Sequence, residues 1–87
     1  MSVADQFGTN LAYCRRRAHL SQEELAARAS LHRTAVGQIE RGERTARADT
    51  IAKLAGSLGI DPGDLFDGIT WTPGTFRPGG FDLGDAS

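Results

Sequence analysis

The residues best suited to chemistry cluster between positions 32 and 47: His32, Arg33, Thr34, Gln38, Arg44, Thr45 and Arg47. They are hydrogen-bonding groups and fixed positive charges, suited to gripping an anion or a polar edge rather than to making bonds. No nucleophile–base pair, phosphate loop or metal-ligand spacing accompanies them, so neither an enzyme nor a cofactor is expected. His19 and His32 lack a Cys or carboxylate spaced with them as a ligand set, so no metal is expected either. Cys14 falls on an apolar stripe and reads as core. Taken alone, Arg33, Thr34 and Gln38 are an ordinary solvated helix face.

Five helical segments are predicted to position these groups. In the first, from about Val3 to Ala18, Phe7, Leu11, Cys14 and Ala18 step by four, three and four along one stripe. The second opens on a capping box, Ser21-Gln22-Glu23-Glu24, with Leu20 placed to staple Leu25. Leu25, Ala26 and Ala29 form its inward face. After the turn Ser30-Leu31-His32, a third helix points Val36 and Ile39 inward and stops at Gly42. The fourth starts near Ala48 or Asp49, carries Ile51, Leu54, Ala55 and Leu58, and ends at Gly59. The fifth is short: Asp61 caps it, Pro62 takes its first position, and Leu65 and Phe66 face the core.

After Asp67 the composition changes. Gly68 to Ser87 hold five Gly and two Pro among Trp71, Phe76 and Phe81, and no helix period fits. Residues 1–67 read as one domain and 68–87 as either a disordered tail or an irregular Gly/aromatic arm with short extended pieces. Three aromatics argue that the arm packs on something. The net charge is −1, with +1 over residues 1–66 and −2 over the rest. Any nucleic-acid surface must therefore come from local placement of Arg. There is no apolar run long enough to span a membrane, no signal-peptide pattern at the start, and a single cysteine. A cytoplasmic protein is expected.

The spacing of the second and third segments carries the functional expectation. Two short helices joined by a tight turn cross steeply, so the second stands proud. A protruding helix fits a DNA major groove, about 12 Å wide. The runs Leu20-Ser21-Gln22-Glu23-Glu24-Leu25-Ala26-Ala27-Arg28-Ala29, Val36-Gly37-Gln38-Ile39-Glu40-Arg41-Gly42 and Leu58-Gly59-Ile60-Asp61-Pro62 closely resemble the XRE family. That group includes lambdoid phage repressors, Cro-like proteins and restriction-modification controller proteins. The resemblance covers Phe7 to Phe66 and implies an all-α, five-helix, lambda-repressor-like fold with a helix-turn-helix.

The resemblance also implies roles. Arg33, Thr34 and Gln38 take the groove-facing positions, where Arg suits guanine, Gln suits adenine and the Thr methyl suits thymine. Gln22 takes the phosphate-contacting position at a helix N-terminus. His32, Arg44, Thr45 and Arg47 are candidates for further backbone contacts. Gly37 falls where the family often carries a longer polar residue; it either lets the backbone approach DNA or leaves a base unread. Arg15 and Glu40 hold the positions of a structural ion pair. Ser30 stands where the family usually has a positive-φ Gly. Leu65, Phe66, Ile69 and Trp71 are the dimer candidates. The expected function is a sequence-specific regulator of double-stranded DNA, a homodimer on a two-fold operator with half-sites about 34 Å apart. The alternative is an antitoxin-like or adaptor module that holds a protein partner through the C-terminal arm.

Overall fold

Capping chemistry sets where the helices begin. In the computed structural model, which describes residues 1–84, α1 (Val3–Arg17) starts at Ser2, whose Oγ accepts the Asp5 N–H at 3.1 Å while Ser2 N–H donates to Asp5 Oδ2 at 2.9 Å. Helix α2 (Gln22–Arg28) starts the same way: Ser21 Oγ accepts the Glu24 N–H, and Glu24 Oε1 accepts the Ser21 N–H, both at 3.0 Å. Each box satisfies N–H groups that a helix end would otherwise leave unpaired. Helix α3 (Arg33–Glu40) is capped by His32, and α4 (Ala48–Leu58) follows Arg47, which gives no side-chain cap.

The four helix ends share one solution. After each, a residue takes positive φ: His19 (58°), Ser30 (54°), Gly42 (72°) and Gly59 (68°). The chain then bonds back, as Leu31 N–H does to Ala26 O at 2.9 Å and Glu43 N–H to Gln38 O at 2.9 Å. This is the Schellman arrangement. Gly adopts the left-handed conformation freely, whereas Ser30 and His19 hold it at a cost of about 1 kcal/mol or more.

One core joins these helices. Phe7 and Leu11 from α1, Leu25 and Ala26 from α2, Val36 and Ile39 from α3, Leu54 and Ala55 from α4 and Leu65 are all buried. Helix α1 crosses α3 at Gly8, where an added Cβ would stand 2.5 Å from the Glu40 carbonyl oxygen and closer still to that of Ile39. Two polar residues are buried beside this crossing. Gln6 Nε2 donates to Asn10 Oδ1 at 3.1 Å, and Asn10 Nδ2 donates to the carbonyls of Leu65 (2.9 Å) and Asp67 (2.8 Å). Asn10 thus pins the end of the core to α1.

Two expectations are corrected. The predicted fifth helix is a 3-10 turn, Pro62–Phe66, so there are four α-helices among the described residues. Its Asp61 cap and Pro62 stand as expected, but five residues close too few i→i+4 bonds to hold an α-helix. The tighter turn buries Leu65 fully and leaves Phe66 39% exposed, stacked edge-on to Phe7 at 5.3 Å. The segment after it is not irregular: β1 (Ile69–Thr72) and β2 (Gly80–Leu83) pair antiparallel, Ile69 with Leu83 and Trp71 with Phe81. The cause is a period-two alternation of Ile69, Trp71, Phe81 and Leu83 with Thr70, Thr72 and Asp82, broken by a Pro/Gly loop. The fold is therefore mostly helical with a small two-stranded sheet, not all-α. The last residues of the expected arm, 85–87, lie outside the described residues. No helix among the described residues is long and apolar enough to cross a membrane.

Candidate nucleic-acid interface

The site is built on the order in which α3 spends its residues. Val36 and Ile39 are 0% and 1% exposed and anchor the helix in the core. Arg33 and Thr34 in its first turn are exposed, and Gln38 is half-buried. At the helix start, His32 Nδ1 accepts the Thr34 N–H at 3.3 Å and lies 2.9 Å from Thr34 Oγ1. With Nδ1 accepting, the ring proton sits on Nε2, which leaves an N–H donor free at the start of α3.

Glu40 fixes the inner end of α3. Its carboxylate meets the Arg15 guanidinium in a two-pronged pair, Nε to Oε2 at 2.6 Å and Nη2 to Oε1 at 3.0 Å. The two side chains are only 12% and 6% exposed. The carboxylate raises the Arg15 pKa above its ordinary value. Arg15 Nη1 also donates to Leu20 O at 2.9 Å. Gln22 Nε2 donates to the same Glu40 Oε1 at 3.0 Å. One carboxylate therefore ties α1, the start of α2 and the end of α3 together. Of the residues named from the sequence, Arg15, Glu40 and Gln22 come together; only the first two were expected as partners.

Gly37 acquires a role from its neighbours. It is buried, and a Cβ there would stand 3.0 Å from an Arg41 guanidinium nitrogen and 3.3 Å from Gln22 Oε1. Its missing side chain leaves room for those two side chains. Gln22, Glu23, Arg33, Thr34, Gly37 and Arg41 line an open concavity of about 320 Å³ between α2 and α3. Arg41 joins the site here without having been singled out from the sequence. It is exposed and paired with Glu43, which lies below its ordinary pKa because of that hydrogen bond. A positive side chain one residue before the helix-ending Gly was the signal available.

The loop after α3 supplies the rest. Arg44 Nη1 donates to Gln38 Oε1 at 3.3 Å and so orients that amide, a link spanning six residues that no helical spacing suggests. Arg44, Thr45 and Arg47 are exposed, and Arg47 Nε lies 3.7 Å from Asp49 Oδ1. Cys14 is outside this site, half-buried on α1, where burial pushes its thiol pKa up. Arg17 stacks on Tyr13, 5.7 Å from the ring centre. Of the dimer candidates, Leu65 is wholly inside the core and offers no surface. Phe66 and Trp71 are exposed and Ile69 is half-buried.

Comparison with known proteins agrees with this geometry. Control protein C.BamHI of Bacillus amyloliquefaciens is 44% identical over 54 residues, covering 62% of this chain and 67% of its own length. An uncharacterised HTH-type transcriptional regulator, y4dJ of Sinorhizobium fredii, is 33% identical over 73 residues, covering 84% and 95%. The crystal structure of the restriction-modification controller protein C.AhdI from Aeromonas hydrophila superposes with a TM-score of 0.71 at 43% identity, covering 72% of this chain and 96% of that one. Residues 11–65 match the helix-turn-helix family HTH_3. The match takes in the second half of α1, the whole α2–turn–α3 unit and the core as far as Leu65, and the chain belongs to this XRE-type HTH_3 family.

Proposed function

We propose that this HTH_3 transcriptional regulator binds double-stranded DNA in a sequence-specific manner, as a homodimer on a two-fold operator. Two of the similar proteins are named for control, C.AhdI as a restriction-modification controller, and a role of that kind is the reading carried over here. The observation that supports it most is the division of α3: one side buried and tied through Glu40, the other presenting Arg33, Thr34 and Gln38. A rigidly held helix with unspent donors and acceptors is what base reading needs. Arg33, Thr34 and Gln38 contact bases in this reading. His32, Arg44, Thr45 and Arg47 contact phosphates, with Gln22 offering the second hydrogen of its amide. The C-terminal segment, 68–87, acts as a second unit that serves assembly.

Selection of duplexes from a random library, with wild type and with Arg33→Ala/Gln38→Ala, tests this. Wild type should enrich an inverted repeat that the double variant does not. Affinity should fall steeply as salt rises, because phosphate contacts release counterions. If neither protein enriches any sequence and binding to duplex DNA is absent in dilute buffer, the protein-interaction module takes its place.

A further inference from the structure

The turn after α3 is built back onto Gln38. Gly42 takes a left-handed φ of 72°, and any Cβ there would run into the Asp5 carboxylate, so the chain leaves α3 pressed against the start of α1. The Glu43 N–H then donates to the carbonyl of Gln38 at 2.9 Å. One residue further on, Arg44 Nη1 donates to the Gln38 side-chain oxygen, Oε1, at 3.3 Å. The backbone of the turn and its side chain thus converge on one residue of α3. Gln38 is half-buried, so its side chain has less room to swing than the exposed Arg33 and Thr34. Charge adds to this. Among the described residues Arg41 is paired with Glu43 and Arg47 with Asp49, whereas Arg44 has no carboxylate partner. An uncompensated guanidinium therefore faces Gln38 Oε1, and no hydrogen bond among the described residues takes up Gln38 Nε2.

We propose that Arg44 is a specificity-determining residue that acts through Gln38, setting its amide to read guanine rather than adenine. This rests on the DNA-binding reading above and concerns one position of that site. By residue type alone Gln38 suits adenine, accepting from N6–H and donating to N7. A guanine edge instead offers two acceptors, N7 and O6. With Oε1 accepting from Arg44, exchanging the amide's oxygen and nitrogen costs that bond, and the N–H groups of Nε2 are what the amide has left unspent. The oxygen keeps a second lone pair, but a donor such as adenine N6–H that approaches it meets the Arg44 charge. The acceptors of guanine are drawn to the same charge. A hydrogen bond from a cation also polarises the amide and strengthens its N–H donors. Each effect favours guanine. Arg44 Nε and Nη2 are not used by the bond to Gln38, so a phosphate contact by the same side chain is compatible with this role.

The experiment uses the full chain and the random duplex library. It continues with four duplexes that differ only at the base pair whose selection is lost in Gln38→Ala. Wild type should take guanine there and bind that duplex about tenfold more tightly than the adenine duplex, within the range for one base contact. Arg44→Ala should bring the two within about twofold while the base pair read by Arg33 keeps its preference. Arg44 is exposed, so the change should leave Tm unmoved. In a Gln38→Ala background, adding Arg44→Ala should alter the preference at this position no further. Arg47→Ala, by contrast, should weaken all four duplexes alike. A wild type that takes adenine at this position overturns the proposal. So does an Arg44→Ala protein that loses affinity equally for all four duplexes, or a selected site in which no position depends on Gln38. Each of those leaves the proposed function standing, whereas a wild type that enriches no duplex removes both.

Discussion

The α1–α3 crossing and the β1–β2 ribbon are held by opposite means. At the crossing, backbones touch through Gly8, Asn10 is buried with every contact satisfied, and Glu40 binds two partners with little exposure. In the ribbon, Trp71, Phe76 and Phe81 stay in water, and a side-chain hydrogen bond across the strands, Thr72 Oγ1 to Asp82 Oδ2 at 3.3 Å, is exposed. The first region fixes the direction of α3 and cannot change without cost to folding. The second makes few buried contacts, so the side chains that set the direction of α3 and those that stay in water lie in different parts of the chain.

The sharpest way to break that contrast is Glu40→Ala. It leaves the Arg15 guanidinium buried without its counter-charge, and removing one partner of such a pair costs about 3–5 kcal/mol. Thermal unfolding should show a fall in Tm of about 12 °C or more for a domain this small. Glu43→Ala removes an exposed partner of Arg41 and should leave Tm nearly unchanged. In the ribbon, Phe76→Ala should stay within about 0.5 kcal/mol of wild type. Equal losses at Glu40 and Glu43 would show that the crossing is not held by its ion pair.

Gly8→Ala comes next, and its sign is the informative part. On helix propensity alone, Ala for Gly should stabilise α1 by about 1 kcal/mol. The Cβ instead meets the carbonyl oxygens of Ile39 and Glu40, and overpacking of this kind costs about 1–3 kcal/mol. Denaturant titration should therefore report a net loss; a net gain would mean the two helices can part without penalty. Asn10→Ala should follow at about 1–3 kcal/mol, the cost of leaving buried carbonyls such as those of Leu65 and Asp67 unpaired. Because Asn10 joins the body to the root of the ribbon, hydrogen exchange in β1 should quicken in this variant before exchange in α3 does.

Legibility followed the range of the interaction. The Ser21–Glu24 box spans three residues and could be read directly, and so could the inward stripes of α3 and α4 and the start of that of α1, where Phe7 and Leu11 are buried while Cys14 is half-buried and Ala18 exposed. The Arg15–Glu40 pair spans 25 residues; it came from family resemblance, since no spacing rule connects the two. Gln22 was placed at the start of α2, but its bond to Glu40 depends on how α2 and α3 cross. Asn10 left a trace that was missed: it sits three residues after Phe7 and beside Leu11, a polar residue on an apolar stripe. Gly8 left another, as a glycine inside a helical pattern. The strands were obscured because most of the Gly and Pro that suggested irregularity, Pro73, Gly74, Pro78 and Gly79, belong to the loop between them. The alternation of Trp71 and Phe81 with polar neighbours was the better guide.

The smallest effect concerns pH and separates charge from shape at the start of α2. The Ser21 N–H and hydroxyl bonds lower the Glu24 pKa from its ordinary 4.5. A carboxyl whose folded pKa is depressed adds stability above its unfolded value and loses it as pH falls through the folded one. Glu24→Gln keeps an oxygen for the Ser21 N–H but removes the charge that favours a helix N-terminus. Wild type should therefore be the more stable at pH 7, and the gap should close as pH drops below 4.5, followed as Tm across the acid range. Asp5 titrates in the same direction through its bonds to Ser2, in both proteins alike, so it cancels in the difference. A gap that stays constant down to pH 3 would mean the Glu24 carboxylate does not hold the cap, and that α2 is set in place by its core contacts and Gln22 alone.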